Sequence, residues 1–372
     1  MPWKEVTHVS QRKEFVTLAS TEMINFSQLC RRFEISRKTG YKWFERSLKN
    51  QEENLSDRSR RPIHSPGKTL PDIEKAVLAI RATHSAWGGR KIHRRLLAQG
   101  CRAPSASTIT AILRRHGKID PTEAMGQKAW QRFEAERPND LWQMDFKGDI
   151  EIANGRCYPL TVLDDHSRYS LGLEACAHTN GDVVKEKMIG IFRRYGMPKG
   201  MLMDNGAPWG TVEGTGHTHL TVWLMRMGVS VWHSRPYHPQ TLGKDERFHR
   251  TLKAEVLQYC TGYDLIKCQE RFDEWRIGYN TERPHEALCM EVPASRYYAS
   301  GRGYEEKLPE IEYSPGDVVR KVIVNGLVSY HGKRYRVGKA FVGEYVGLRP
   351  TVLDGVMDVF FCNQKIAQAD VR

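Results

Sequence analysis

Leu141-Trp-Gln-Met-Asp-Phe146 is the stretch at which the sequence changes from helical to mixed patterning. It reads as a short apolar strand with Asp145 near its end. Further strands are predicted over 158–163, 169–173, 201–203 and 229–232, and helices over 182–195, over 219–227 and around Glu246. The resulting order of three strands, helix, strand, helix, strand and helix is typical of an α/β fold.

Three acidic residues stand at the ends of these predicted elements. Asp145 lies near the end of the first strand, Asp204 directly follows the strand over 201–203, and Glu246 begins an amphipathic helix. Cleavage or joining of a phosphodiester needs an activated oxygen nucleophile, a stabilised departing oxygen and in-line geometry. Two hard divalent cations roughly 4 Å apart supply all three, and they prefer oxygen ligands. Three carboxylates from separate elements could bridge such a pair.

Each of these acids also has an ordinary structural explanation. An Asp after a strand is often a turn former, and Asp204 precedes Asn-Gly, itself a turn signal. Glu246 could be a first-turn charge that the helix dipole favours. Asp164 and Asp165, in the predicted hairpin, are also placed to be metal ligands. Spacing alone leaves these alternatives open.

The helix that carries Glu246 also carries cations on the same side. Glu246, Arg250 and Lys253 are spaced i, i+4 and i+7, so they share one helical face. A metal-binding carboxylate and phosphate-binding cations would then point at the same place.

The composition limits the class of protein. With 372 residues and 40% apolar residues, the chain is long enough for two to four domains with real cores. No apolar run approaches the roughly eighteen residues of a membrane span. Eight cysteines without Cys-x-x-Cys or zinc-finger spacing predict reduced thiols, and the closest pair, Cys260 and Cys268, is predicted to fill core space.

The positive charge is concentrated at the two ends of the chain. Residues 1–137 carry 27 Lys and Arg against 14 Asp and Glu, a net of +13. Residues 138–313 carry 21 against 25, a net of −4, and residues 314–372 carry 9 against 5, a net of +4. Basic ends around a slightly acidic middle fit DNA-holding modules that flank a metal-dependent centre. A basic surface that serves only solubility is the alternative.

The first 50 residues predict a helix-turn-helix domain. Short helices are expected over 12–20, 27–33 and 36–46, with a tight turn at Glu34-Ile35 and Ser36 as the N-cap of the third helix. The basic residues of that third helix are the candidate DNA contacts: Arg37, Lys38 and Lys42. A plain three-helix bundle would share this periodicity.

A basic linker over 51–70 precedes a second predicted helix-turn-helix unit over 71–118. Its helices are expected over 73–80, 87–97 and 107–115, and the last one ends in the candidate DNA contacts Arg114 and Arg115. The Gly88-Gly89 pair is interpreted as a turn. Two tandem units suit the recognition of a long DNA site.

The last 72 residues, 301–372, predict a small β domain. Runs over 318–324, 333–337 and 358–362 are rich in β-branched and aromatic residues, with glycine-containing turns between them. A small β-barrel is predicted, and a β-sandwich for oligomerisation is the alternative.

Five segments together resemble the integrase-core transposases of bacterial insertion sequences, the DDE branch of the retroviral-integrase superfamily. They are Leu141-Trp-Gln-Met-Asp145-Phe, Leu163-Asp-Asp-His-Ser-Arg168, Leu202-Met-Asp204-Asn-Gly206, Arg235-Pro-Tyr-His-Pro-Gln-Thr-Leu-Gly-Lys-Asp-Glu246-Arg-Phe-His-Arg-Thr-Leu-Lys253 and Tyr279-Asn-Thr-Glu-Arg-Pro-His285-Glu-Ala-Leu288. The resemblance implies an RNase H-like catalytic core over 139–300, joined by a linker over 119–138 to the helix-turn-helix domains and followed by the small β-barrel.

The resemblance also implies a site and a reaction. Asp145, Asp204 and Glu246 would be the catalytic triad and would bind two Mg²⁺ or Mn²⁺ ions. Asp164 and Asp165 fall in the hairpin motif, which favours a structural role. Lys253, His238 and Gln240 would contact the terminal nucleotides of the element. Water would cleave the element end, and the freed 3′-hydroxyl would attack target DNA directly.

The partners and the competing function follow from the same resemblance. Double-stranded DNA is the expected partner, at the element ends and at the target, and two ends joined together imply a homo-oligomer assembled on DNA. No membrane is involved, and a cytoplasmic, nucleoid-associated location is expected. A catalytically inactive, domesticated DNA-binding regulator is the alternative function.

The sequence departs from the family pattern in two places. Relatives read Asn-Gly-Lys-Val-Glu where this chain has Leu242-Gly-Lys-Asp-Glu246. The extra acid could weaken the metal spacing or leave it unchanged. No change is favoured, because Asp245 is expected to face away from Glu246 on the helix. The spacing between Asp204 and Glu246 is also longer, with a predicted flexible loop over 210–216, after which His217 and His219 are predicted to be exposed.

Overall fold

The computed structural model describes residues 7–21, 24–49, 55–57, 67–119, 134–211, 216–234 and 243–372. The chain divides into two compact units, Met1–Lys68 and Thr69–Arg372. Within the described ranges, no helix is both long and apolar enough to cross a membrane.

The first unit contains the predicted helix-turn-helix. Its helices are α1 (His8–Ala19), α2 (Phe26–Arg32) and α3 (Arg37–Lys49). The hydroxyl of Ser36 accepts a hydrogen bond from the Thr39 amide (3.2 Å), so the predicted N-cap is confirmed. Helix α3 approaches α2 closely at Gly40, where an added Cβ would lie 2.7 Å from the sulfur of Cys30.

The second helix-turn-helix belongs to the second unit. Its helices are α4 (Pro71–Thr83), α5 (Gly89–Ala98) and α6 (Ala106–Arg115). Ser105 caps α6 by accepting a hydrogen bond from the Thr108 amide. The three helices enclose an apolar core of Val77, Trp87, Ile92, Leu96, Ile109, Ile112 and Leu113.

The Gly88-Gly89 pair contains one glycine that the packing requires and one that it does not. A Cβ at Gly89 would lie 2.3 Å from Thr110 Oγ1 and 2.4 Å from the Ala106 carbonyl oxygen, whereas a Cβ at Gly88 would meet nothing within 4 Å. Gly89→Ala is therefore expected to destabilise this domain by about 1–3 kcal/mol. Hydrogen exchange of the α4–α6 amides should rise for Gly89→Ala and change little for Gly88→Ala. Equal protection in both variants would contradict the close approach.

The central sheet has the strand order of an RNase H-like fold. Its strands are β1 (Leu141–Phe146), β2 (Ile150–Ile152), β3 (Gly155–Asp164), β4 (Ser170–Cys176), β5 (Gly200–Met203) and β6 (Ser230–His233). They lie in the order β4–β3–β1–β5–β6, and β2 pairs with the start of β3. The pairs β1–β3 and β3–β4 are antiparallel, and β1–β5 and β5–β6 are parallel. The predicted α/β order is confirmed, with the three-residue strand β2 added to it.

Helices cover both faces of this sheet: α7 (Gly181–Tyr195), α8 (His219–Arg226), α9 (Gly243–Glu255) and α10 (Leu265–Thr281). Leu160 and Val162 of β3 pack with α7 and α8, and Leu163 packs with α9 and α10. The alternation along β3 is what a strand buried on both faces produces. Cys260 and Cys268 are fully buried in the α9–α10 cluster, as predicted for core filling.

The C-terminal segment is an antiparallel β domain, as predicted. It contains β7 (Val318–Lys321), β8 (Leu327–Tyr330), β9 (Lys333–Arg336), β10 (Tyr345–Pro350), β11 (Val356–Phe361) and β12 (Gln364–Asp370). The strands form a four-stranded sheet, β12–β11–β10–β7, and the hairpin β8–β9. The predicted strand over 318–324 is shorter: β7 ends at Lys321, and Ile323 instead forms a bridge with Leu327.

The β domain is fixed to the α/β core. Its buried side chains belong to the same apolar cluster as those of α7 and α8. The side-chain amide of Gln364 accepts from the Val231 amide (2.8 Å) and donates to the Val231 carbonyl (2.6 Å), which pairs part of the edge of β6. The hydrogen bonds of Gln364 and the shared apolar cluster hold the β domain and the central sheet in one orientation.

Candidate active site

Helix α9 presents the candidate site residues on its exposed face. Glu246, Arg250 and Lys253 are exposed, as their spacing predicts. The opposite face is buried against the sheet and α10, through Asp245, Phe248, His249 and Leu252. Because Phe248 and Leu252 supply the apolar contact, the rotation of the helix about its axis is set by packing.

Asp145 is electrostatically coupled to the other two predicted site acids. Its pKa is raised to about 6, first by burial and then by the negative charges of Asp204 and Glu246. The Phe146 amide donates to its Oδ1 (2.8 Å) and opposes this rise. Asp204 and Glu246, from two other elements, are therefore both close enough to Asp145 for their charges to act on it.

Asp204 also has the structural role that its Asn-Gly sequence indicates. The Gly206 amide donates to Asp204 Oδ1 (3.0 Å), which forms a turn after β5. His233 Nδ1 contacts the Asp204 carbonyl oxygen at 2.7 Å, and the Asn205 side chain donates to the Ser234 carbonyl (2.6 Å). Asp204 can therefore form the turn and also belong to the site, because the turn holds the carboxyl group whose charge acts on Asp145.

Carboxylate oxygens, which Asp145, Asp204 and Glu246 supply, are suitable ligands for a hard divalent cation. In this structure the three carboxyl groups do not converge on one point. In the part of the chain that the structure describes, no group of three or more His, Cys, Asp or Glu side chains is close enough to hold a metal ion. The pKa of Asp145 is raised first by burial and then by the charge of Asp204, and a bound cation would oppose both effects. The metal-binding triad therefore stays a prediction.

A hydrogen-bonded chain that the sequence did not reveal connects α9 to β1. Thr161 Oγ1 donates to the Asp145 carbonyl oxygen (2.9 Å) and lies 2.8 Å from His249 Nε2. Since its one proton goes to Asp145, Thr161 must accept from His249, which places the imidazole proton on Nε2. Burial lowers the pKa of His249 to about 4, so the ring is neutral. The only sequence signal was that His249 lies three residues after Glu246.

The two hairpin acids have the structural contacts that the resemblance implies. Asp164 accepts hydrogen bonds from the Asn139 amide (2.7 Å) and from the amide (2.7 Å) and hydroxyl (2.5 Å) of Ser167. Asp165 forms a buried ion pair with Lys244 (2.5 Å), at the start of α9. Their oxygens hold the hairpin and the helix in place, and satisfying them leaves less capacity for a metal.

Asp245 is the departure from the family pattern, and its effect on the metal spacing stays a prediction. It does face away from Glu246, but this direction leads into the core, where Asp245 is fully buried. Within the described residues, neither of its carboxyl oxygens has a hydrogen-bond partner. Burial raises its pKa well above the usual value, Asp145 and Asp165 add to the rise, and Lys244 opposes it. Such a carboxyl group is costly in a folded core.

His217 was wrongly predicted to be exposed. Its ring lies 5.7 Å from that of His233 and 5.6 Å from that of Phe341, and burial lowers its pKa to about 4. His217 therefore belongs to the packing between the core and the β domain. His219 is exposed, as predicted.

The predicted DNA contacts differ in how they are placed. The basic residues of α3 are exposed: Arg37, Lys38 and Lys42. Arg114 of α6 is exposed, whereas Arg115 forms an ion pair with Glu74 (2.5 Å) inside its own domain. His238 and Gln240 lie outside the described residues.

Family comparisons match most of the domains described above. An integrase core domain matches residues 135–239 and again 227–293. A homeodomain-like domain matches residues 39–113, and the C-terminal domain of IS481 family transposases matches residues 317–372. The chain belongs to the integrase-core transposases of insertion elements. Its helix-turn-helix units and its β domain are therefore parts of a transposase.

Individual proteins similar to this transposase come from bacterial elements and from retroviruses. An insertion element IS476 protein of Xanthomonas euvesicatoria is 26% identical over 265 residues, which cover 68% of this chain and 72% of that protein. An insertion element IS407 protein of Burkholderia multivorans is 27% identical over 248 residues, 63% of this chain and 85% of that protein. The Gag-Pol polyprotein of baboon endogenous virus is 26% identical over 193 residues, 50% of this chain and 11% of the polyprotein.

Solved structures similar to the transposase include two retroviral assemblies. A simian T-cell lymphotropic virus intasome in complex with a PP2A regulatory subunit matches 79% of this chain and 95% of that chain, with 9% identity and a TM-score of 0.40. The HTLV-2 integrase catalytic core in complex with magnesium matches 44% of this chain and 100% of that chain, with 12% identity and a TM-score of 0.35.

Proposed function

We propose that this transposase binds the terminal inverted repeats of its element, cleaves the element ends and joins their 3′-hydroxyls to target DNA. One observation carries the proposal: Asp204 and Glu246, from two other elements, both raise the pKa of Asp145. Acids that approach one another on an integrase core, beside exposed cations of α9, suit phosphodiester chemistry.

The residues that would hold the cofactor are Asp145, Asp204 and Glu246, with two Mg²⁺ or Mn²⁺ ions. Bound divalent cations would supply activation of an oxygen nucleophile and stabilisation of the departing oxygen. The chain itself contributes the positions of the carboxylates, set by the end of β1, the turn after β5 and the first turn of α9.

The DNA partners are assigned from exposed cations. Arg250 and Lys253 share the face of Glu246 and would bind the phosphates next to the cleaved bond. The exposed residues of α3 and Arg114 of α6 would contact the repeats. Because two element ends must be joined in one reaction, we propose a homo-oligomer on double-stranded DNA, acting in the cytoplasm at the nucleoid.

The direct test is a strand-transfer assay on linear DNA that ends in the element's terminal repeats, with Mg²⁺ or Mn²⁺. Wild-type protein should nick the ends and join them to target DNA, and chelation with EDTA should abolish both steps without abolishing repeat binding. Repeat binding without nicking or joining, under every divalent cation tested, would support the inactive regulator and overturn the proposal.

The hydrogen bonds that link His249 through Thr161 to the Asp145 carbonyl oxygen give a second test of the site. Thr161→Val keeps the side-chain shape but leaves His249 Nε2–H without its buried partner, at a cost of about 1–3 kcal/mol. Because these bonds set α9 against β1, the Mg²⁺ concentration for half-maximal joining should rise several-fold. Thr161→Ser retains the hydroxyl, so its Mg²⁺ concentration for half-maximal joining should stay at the wild-type value. An unchanged Mg²⁺ requirement in Thr161→Val, with lower stability alone, would limit Thr161 to a structural role.

A further inference from the structure

Helix α5 of the second helix-turn-helix contacts an acidic segment of the catalytic core, residues 282–291. Three arginines of α5 each pair with a glutamate of that segment: Arg94 with Glu291 (2.6 Å), Arg95 with Glu282 (2.8 Å) and Arg90 with Glu286 (3.5 Å). We name this set of pairs the docking contact. A single exposed ion pair contributes little to stability, so these three pairs alone would hold the helix only weakly.

The docking contact includes more specific interactions than its ion pairs. Arg94 Nε also donates to the Met290 carbonyl oxygen (3.4 Å), so this guanidinium binds a backbone group as well as a carboxylate. Lys91 of α5 lies partly buried in the same contact. Its pKa is lowered to about 8, first by burial and then by Arg283, while Glu255 opposes the change. A partly buried lysine is typical of a closed contact between two surfaces.

The acidic segment is itself held firmly in the core. Arg283 forms a buried ion pair with Glu255 of α9, and Leu288 is fully buried. Backbone hydrogen bonds close the segment on itself, from the His285 amide to the Glu291 carbonyl (3.0 Å) and from the Met290 amide to the His285 carbonyl (2.8 Å). The docking contact therefore joins a rigid helix to a rigid part of the core.

The docking contact leaves the DNA-facing side of α6 available. Helix α6 buries Ile109, Ile112 and Leu113 in its own domain. Three of its exposed side chains, Ser107, Ala111 and Arg114, lie at i, i+4 and i+7 on one face. Helix α5 buries Ile92 and Leu96 in that same domain core. Docking through the arginines of α5 therefore occupies a different helix from the one that would read DNA.

We propose that the docking contact holds α6 at one fixed distance from the catalytic acids, so that the transposase measures a set length of DNA between the bases read by α6 and the cleaved bond. This inference rests on the proposed function. If a mobile linker joined this helix-turn-helix to the core, the protein would tolerate DNA inserted between the bases read by α6 and the cleaved bond. With a docked domain, an insertion of a few base pairs moves the cleaved bond away from the acids.

The test uses charge reversal and charge exchange in the full-length protein. Arg94→Glu and Glu291→Arg each break one pair, and the double variant R94E/E291R re-forms it with reversed polarity. Arg102→Glu, at an exposed position of the same domain outside the docking contact, controls for loss of positive charge. Substrates are terminal-repeat DNA with zero to five base pairs inserted between the α6 footprint and the cleavage site.

Wild-type protein and Arg102→Glu should cleave at one position and discriminate against inserted DNA. In each single variant, cleavage should occur at several positions. The preference for DNA without an insertion over DNA with one should fall about fivefold. The double variant should restore both properties. Single variants that keep one cleavage position, or a double variant worse than either single one because Arg94 itself binds DNA, would overturn the proposal.

Hydrogen exchange of the DNA-free protein separates failure of this inference from failure of the proposed function. Exchange in α5 and in residues 282–291 should rise in both single variants and return to the wild-type level in the double variant, whether or not the protein cleaves DNA. Unchanged exchange in the single variants would overturn the docking contact. Absence of cleavage by the wild-type protein would overturn the proposed function, and the measured length with it.

Discussion

Asp204→Asn is expected to reduce end cleavage and strand joining by about 1000-fold or more, while repeat binding is retained. Asparagine keeps the size of the side chain and can still accept the Gly206 amide, so the turn after β5 should persist. The negative charge is lost, and with it a cation ligand. The same removal of charge should also lower the pKa of Asp145, because Asp204 is one of the groups that raise it.

The measurement is the rate of joining on pre-cleaved repeat DNA, with binding followed separately by gel shift. Asp182→Asn, an exposed acid in the first turn of α7, is the matched control and should behave as wild type. Joining by Asp204→Asn at the wild-type rate would remove the catalytic triad from the proposal. Loss of repeat binding as well would indicate misfolding, which circular dichroism and thermal unfolding would identify.

Asp245→Val is expected to stabilise the protein by about 1–2 kcal/mol above neutral pH. A buried carboxyl group without a partner costs roughly 1–3 kcal/mol. Against this, an acid in the first turn of α9 gains about 0.3–1 kcal/mol from the helix dipole. The burial cost is the larger, because the side chain is fully buried and its charge is repelled by Asp145 and Asp165.

The pH dependence of this gain has a definite sign. Because the folded pKa of Asp245 is raised above the usual 3.8, the native protein binds more protons than the unfolded chain between these two values. The stability of the wild-type protein therefore falls as pH rises from about 3.8 through the raised pKa. Valine has no proton to lose, so its advantage should be small at acidic pH and complete above the raised pKa.

Urea unfolding across this pH range measures the effect. Asp245→Asn is the matched control, since it removes the charge but leaves a buried polar group, and its gain should lie between zero and that of valine. A Val variant that is less stable than wild type at every pH would show that Asp245 has a compensating partner. That result would reverse the interpretation of this position.

Local sequence features were sufficient for most of the architecture. The runs over 141–146 and 158–163 predicted strands, and the strands that contain them are largely buried on both faces. The spacing of Glu246, Arg250 and Lys253 predicted one helical face because the helix period fixes which residues align. Ser36 predicted a helix start because its hydroxyl can satisfy an otherwise unpaired amide. The assigned domain boundaries stay predictions.

The interactions that refine the site were beyond local features. Thr161 and His249 are 88 residues apart, and Arg94 and Glu291 are 197 residues apart, so neither contact has a periodic signature in the sequence. His217 illustrates the same limit, because the packing of His233 and Phe341 around it buries a residue that its glycine-rich surroundings placed in solvent.

The sequence by itself determined the α/β core, the tandem helix-turn-helix units, the C-terminal β domain and the three acids of the candidate site. The structural elements follow from periodicity, capping and motif spacing, which act over a few residues. The three acids were singled out by the resemblance to the integrase-core transposases, and their role as a triad stays a prediction. Only the tertiary structure decided that Asp245 is buried with no hydrogen-bond partner among the described residues, that Thr161 joins α9 to β1, and that α5 is docked on the acidic segment. Those facts depend on which distant surfaces pack together, and burial then sets the cost of each charge.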